Sequence, residues 1–251
     1  GGNGPLLQYV TLREYIDKKI NVKRILFFYY EGNDIDGLNN ELDNPILYKY
    51  VKDTNFSQDL VNNQKITDKL LEKKLLNKLK EIKLKSKNIL FSQNSFIRFI
   101  KLSNLRKVLK NVSKINNLEN LDLNFLLNNW RIKSHYTNLE PRNIKPDNLK
   151  NLLELVVELS NENNSKLYFI YLPSYIRYIL ENNQNTFHYR DVIKIVNELD
   201  IPLIDLKKDM FDKFNDPLSF FPKLKPWHYN VEGYGVASKI IMNKISILES
   251  N

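Results

Sequence analysis

Arg24-Ile25-Leu26-Phe27-Phe28-Tyr29-Tyr30 runs directly into Glu31-Gly32-Asn33-Asp34. Six apolar or aromatic residues in an unbroken row, closed by a Gly/Asx turn, are too short for a helix and predict a strand buried on both faces. Upstream, Pro5 to Ile20 carries Leu6, Val10, Leu12 and Ile16 at three- and four-residue steps behind a proline, which predicts an amphipathic helix.

The same helix-then-strand rhythm returns further on. A helix over about Asp147–Ser160 precedes the strand Leu167–Leu172, which stops at Pro173. A helix over Asp191–Leu199 precedes the strand Ile201–Leu206, and a closing helix runs from about Val231 to Leu248. Apolar strands alternating with amphipathic helices predict an α/β fold with a parallel sheet covered on both faces.

The stretch from about Asn55 to Pro146 has a different texture. Ile66–Leu84 reads as a lysine-rich helix with Leu70, Leu71, Leu75, Leu76, Leu79 and Ile82 along one side, followed by Phe91–Leu109 and an Asn-rich stretch to Trp130. No strand pattern interrupts it, so a helical insertion over about 55–146 is expected within one domain spanning 1–251. Its lysines have two readings, a phosphate-binding stripe or a solvated face whose side-chain stems cover apolar surface. The second is preferred, because no helix-turn-helix, RNP-type or zinc-knuckle pattern accompanies the charge. No nucleic-acid partner is expected.

Composition narrows the chemistry. The chain has 251 residues and 29.8 kDa, a net charge of +9 and 42% hydrophobic residues, which predicts a soluble globular protein. No apolar run approaches the ~20 residues that cross a bilayer. Cysteine is absent, which excludes a thiol nucleophile, a thiolate metal site and a disulfide scaffold. With only His135, His188 and His228, a multi-histidine metal site is not expected, and no metal or organic cofactor is implied.

The seven glycines fall in three groups: Gly1, Gly2 and Gly4; Gly32 and Gly37 after the first strand; Gly233 and Gly235 at the start of the last helix. The first two groups belong where a strand or loop enters a helix, the edge at which open α/β sheets place ligands. Asn33 would project from the end of its strand, where its amide can donate to a developing oxyanion or merely satisfy the turn. His228, in Pro226-Trp227-His228-Tyr229-Asn230, stands just before a helix for which Asn230 is a good N-cap. From there it can reach across the strand ends as a general base, or pack among the aromatics beside it.

Together these segments resemble the SGNH/GDSL hydrolase superfamily, serine esterases and acyltransferases on a flavodoxin-like three-layer α/β/α fold. Gly2 in Gly2-Asn3-Gly4 is similar to the family's oxyanion glycine, and Glu31-Gly32-Asn33-Asp34 to its Gly-x-Asn-Asp block. His228 in His228-Tyr229-Asn230-x-x-Gly233-Tyr234 is similar to the late catalytic histidine. The resemblance implies catalytic roles for His228, Asn33 and Gly2, with Gly32 and Asp34 supporting the oxyanion loop. It implies an ester or acylated carbohydrate as substrate; Trp227 and Tyr229 beside the site have two readings, contact with a sugar ring or packing in the core, the second being the commoner use of aromatics next to a loop.

The sequence departs from that pattern twice. No glycine is followed by Asp-Ser, so the nucleophile block is absent and would lie, with the first strand, before residue 1; the polypeptide as written is then expected to be inactive on esters. Position 225 is lysine where the family has aspartate three residues before the histidine. Asp216 and Asp205 are the candidate acids to orient His228, Asp216 being preferred, with a backbone carbonyl of Leu224–Pro226 as the alternative. A non-catalytic relative that binds a glycan or a protein is the second reading.

Overall fold

Three parallel strands form one open sheet in the order β1-β2-β3: β1 Arg24–Tyr30, β2 Lys166–Leu172 and β3 Leu203–Asp205. The computed structural model describes residues 3–16, 21–90, 146–179, 188–222 and 228–250. The chain divides into two compact units, Gly1–Gln58 with Asn124–Asn251, and Asp59–Leu123. The first contains the sheet and the helices α1 Pro5–Tyr15, α2 Asp34–Leu42 and α3 Pro45–Lys52. It continues with α5 Pro146–Glu162, α6 Tyr175–Ile179, α7 Tyr189–Glu198, α8 Leu206–Asp209 and α9 Val231–Ser250. The second unit contains α4, Gln64–Leu90.

β1 and β2 pair in register from Arg24↔Lys166 to Tyr30↔Leu172, so successive side chains share faces across the pair. One face carries an aromatic ladder. Phe27 stacks on Phe169 at 6.0 Å, and Tyr29 stacks on Phe169 and on Tyr171 at 5.7 Å each. Leu6, Tyr9, Leu38, Leu149, Leu153, Val156 and Val196, from α1, α2, α5 and α7, cover that ladder. Tyr168, Ile170 and Ile204 on the opposite face pack under α6, α8 and α9 through Tyr175, Leu206, Ala237 and Ile241. Burying each such side chain contributes about 1.5–3 kcal/mol.

The turns that feed β2 and β3 share one device. Asn164 and Asp200 adopt left-handed backbone, with φ of 51° and 52°. Just beyond them, Ser165 N–H donates to the Ser160 carbonyl at 2.9 Å and Ile201 N–H to that of Val196 at 3.1 Å. These six-to-one bonds end α5 and α7 and turn the chain toward the sheet.

The structure is thus mixed α/β with a three-stranded parallel sheet and helices on both sides. β2 is buried on both faces, but β1 alternates: Leu26 and Phe28 are 36% and 38% exposed, against the expected double burial. The reason is topological. Among the described residues β1 is an edge strand, and none of its side chains joins the core under α6, α8 and α9, although α9 reaches that face where Glu249 holds Arg24. α1 is also shorter than its apolar pattern predicts, with Ile16 at its C-cap already in extended backbone. β3 is cut to three residues because Asp205 caps α8 at once, its carboxylate accepting from the Lys207 N–H at 3.0 Å. The expected helix Phe91–Leu109 and the stretch to Trp130 lie outside the described residues. No helix among the described residues is long and apolar enough to cross a membrane.

Candidate functional site

A cleft of about 530 Å³ opens at the carboxyl end of β1, lined by Asn3, Gln8, Phe28, Tyr30, Asn33, Asp34, Leu172, His228, Tyr229 and Tyr234. Two segments nearly two hundred residues apart therefore meet there, the turn after β1 and the loop before α9.

The turn is built so that its asparagine stays free. Asp34 returns its carboxylate to the Tyr30 N–H at 2.8 Å, and the Asn33 carbonyl accepts from the Gly37 N–H at 2.8 Å to start α2. Asn33 occupies the N-cap position, yet its side chain caps nothing and makes no hydrogen bond among the described residues. Of the two polar side chains in this turn, Asp34 does the local satisfying and the exposed Asn33 amide faces solvent. Burial pushes the Asp34 carboxyl up to about 7; the Tyr30 N–H opposes that and the negative charge of Glu41 adds to it. Gly32 leaves room for the Tyr30 ring, since a Cβ there would stand 2.4 Å from Tyr30 Cε1.

Beneath the turn lies Glu31, 2% exposed. Its carboxylate accepts from Arg177 Nε and Nη2, from the Ser174 N–H at 2.8 Å and from the Tyr171 hydroxyl, while its own N–H donates to the Leu172 carbonyl at 3.1 Å. Burial, then the neighbouring Glu31 charge, holds the Tyr171 hydroxyl well above the ordinary tyrosine range. This network ties the turn after β1 to the turn after β2. Sequence reading missed Glu31 and Arg177, because no local pattern joins an acid and a guanidinium 146 positions apart.

A second brace positions the other wall. The Glu41 carboxylate, on α2, accepts the N–H groups of Gly4 at 2.6 Å, Leu6 at 3.0 Å and Leu7 at 3.2 Å, closing the N-terminus of α1. Gly4 also lies against Gly37, where a Cβ would meet the Gly37 carbonyl carbon at 2.9 Å. Gly2 itself lies outside the described residues.

His228 is exposed and anchored from its C-terminal side. Tyr229 is a core residue whose hydroxyl donates to the Pro173 carbonyl at 2.8 Å. Asn230 caps α9 by accepting from the Gly233 N–H at 2.7 Å, and its amide donates to the Ser219 carbonyl at 2.7 Å. The His228 ring sits 6.0 Å from that of Tyr30, tilted by 35°.

Neither expected acid hydrogen-bonds His228. The Asp205 carboxylate is occupied by the Tyr189 hydroxyl and the Lys207 N–H, which makes it a cap and a brace at the end of β3. Asp216 offers its carbonyl to Ser219 in a 3-10 turn, and its exposed carboxylate meets no partner among the described residues. Residues 223–227, with the Leu224–Pro226 backbone and Trp227, lie outside the described residues. Tyr229 lines the cleft from a buried position against Phe211 and Phe221, and Phe28, Tyr30 and Tyr234 supply the rest of the aromatic lining.

A second cleft of about 560 Å³ among α2, α3 and α5 is lined by Asn39, Asp43, Tyr48 and Asn148, with no histidine beside its one carboxylate. No group of three or more metal-ligating side chains exists among the described residues. Compared with protein-family models, curated proteins and solved structures, the chain matches none.

Proposed function

We propose that this chain is the larger part of an SGNH-type serine hydrolase on a flavodoxin-like sheet, acting on ester bonds as an esterase or a carbohydrate O-acyltransferase. The observation that carries the reading is the meeting of an uncommitted amide, Asn33, and an exposed imidazole, His228, in one cleft at the carboxyl end of a parallel sheet. That β1 is an edge strand among the described residues supports it further. A parallel strand added there would end beside the cleft and deliver a residue between the two groups.

The chemistry follows from those positions. A serine hydroxyl, supplied by a strand outside the 251 residues, attacks the ester carbonyl while His228 takes its proton. The carbonyl oxygen becomes an oxyanion held by the Asn33 amide and the Gly2 N–H, a contribution of about 3–4 kcal/mol per donor. His228 returns the proton to the leaving alcohol, and water or a sugar hydroxyl then releases the acyl group by the same steps in reverse. With no carboxylate on His228 among the described residues, the reading is a serine–histidine dyad. The aromatic lining from Phe28, Tyr30 and Tyr234 favours a second reading, a non-catalytic glycan-binding relative.

The test is to express the chain together with the polypeptide encoded immediately upstream of Gly1 and assay hydrolysis of p-nitrophenyl acetate and labelling by a fluorophosphonate. Turnover and labelling that appear only with the upstream segment support the hydrolase. An upstream segment without a reactive serine removes it in favour of the binding reading.

A further inference from the structure

Helix α4 is the most exposed apolar surface among the described residues. Leu71, Leu75, Leu79 and Ile82 are 58%, 59%, 44% and 54% exposed. At 100° per residue they fall within an arc of about 80° and extend over about 17 Å of helix. That stripe belongs to neither hydrophobic core among the described residues. The same 27 residues hold nine lysines against three acids, a net +6 of the chain's +9. Exposed Lys74 and Lys78 border the stripe on one edge and Glu72 on the other, and Ile66, Leu70 and Leu76 are exposed elsewhere around the helix.

An exposed apolar stripe on so cationic a helix has few physical complements. A second copy would bring one helix of net +6 against another, and a nucleic acid would satisfy the charge while leaving four large side chains in water. An anionic lipid surface satisfies both. The leucines enter the acyl boundary, the lysine stems lie along it, and the ammonium groups rise to the headgroups.

We propose that α4 is a peripheral docking helix for anionic lipid, lying in the membrane surface without spanning it. The inference stands apart from the hydrolase reading, because it uses no residue of the cleft.

The test is co-sedimentation of the full chain with large unilamellar vesicles of phosphatidylcholine alone and of phosphatidylcholine with one-quarter phosphatidylglycerol. Binding to the anionic vesicles is expected to be at least about tenfold tighter, and to fall by a similar factor in Leu75→Ser/Leu79→Ser and again in high salt. Amide exchange across residues 64–82 of the unmodified chain, slowed by anionic vesicles and unchanged by neutral ones, gives a readout that does not depend on the variant folding. Equal binding to both vesicles, or anionic binding indifferent to the leucine substitutions, overturns the proposal. So does a dimer in light scattering that dissolves in the leucine variant, which would assign the stripe to a second copy. Displacement from vesicles by duplex DNA, undiminished in the leucine variant, would assign the helix to nucleic acid.

Discussion

The Arg177 guanidinium meets the Glu31 carboxylate as a fork, Nε 2.8 Å from Oε1 and Nη2 2.7 Å from Oε2, with the two side chains 7% and 0% exposed. A buried pair of this geometry is costly to break from one side, because the remaining charge stays desolvated. Arg177→Met should therefore lower stability by about 3–5 kcal/mol, and Glu31→Gln with Arg177→Met should cost less than the two single changes added together. Urea unfolding of the three variants measures both quantities. Strict additivity would show that the two side chains do not act as a pair.

Asp34 makes stability depend on pH. Below about pH 4 its carboxyl is neutral in folded and unfolded chains alike. As pH rises from 3.8 toward 7 the unfolded chain ionises and the folded one does not, so stability falls over that window and levels off above it. The loss amounts to about 4 kcal/mol. Asp34→Asn keeps an acceptor for the Tyr30 N–H and removes the ionisation. It should stabilise by a few kcal/mol at pH 8 and barely at pH 4, as read from urea midpoints at each pH; equal effects at both would remove the carboxyl from the cause.

Gly32 is where the cleft is most sensitive to one added methyl group. In Gly32→Ala the Cβ would occupy the space of the Tyr30 ring, which must swing away and take its contact with His228 along. The His228 ring protons should then lose the shift imposed by the neighbouring aromatic ring. Proton NMR of the wild type and the variant, with His228→Gln to assign the resonances, decides it. An unchanged His228 spectrum would mean that Tyr30 does not control the histidine.

In the serine-complete enzyme the proposed roles separate by kinetics. Asn33→Ala should cut turnover by about 10²–10³. It should leave stability within about 0.5 kcal/mol, since the amide is exposed and caps nothing. Asp34→Asn should reduce turnover far less, because its carboxylate holds the turn and touches no substrate. A larger loss in Asp34→Asn than in Asn33→Ala would reverse the two assignments.

How far the sequence discloses this structure depends on how local each cause is. β1 and β2 are legible because an unbroken apolar run ended by Gly or Pro has few other uses, and β1 runs from Arg24 to Tyr30 as read. α2 and α3 escaped that reading although Asn44-Pro45 is a start signal. The Asn44 carboxamide accepts from the N–H groups of Ile46 and Leu47, but the helices on either side are too short to show a period. The exposure of Leu26 and Phe28 was illegible for another reason, since a continuous apolar run records what a strand can bury and not which neighbours cover it. Asn33 and His228 could be singled out from their flanking residues. Glu31, Arg177 and Glu41 could not, because their partners are fixed only when distant turns meet.

The aromatic ladder gives the protein a built-in optical label. Residues 59–123 contain neither tyrosine nor tryptophan, while Tyr29, Tyr168 and Tyr171 are fully buried in the sheet. Near-ultraviolet circular dichroism from those rings therefore reports melting of the sheet-bearing unit, while the far-ultraviolet band sums the helices of both units. Where the two curves separate, the difference is the transition of the lysine-rich unit itself, read without a cut in the chain or an added dye.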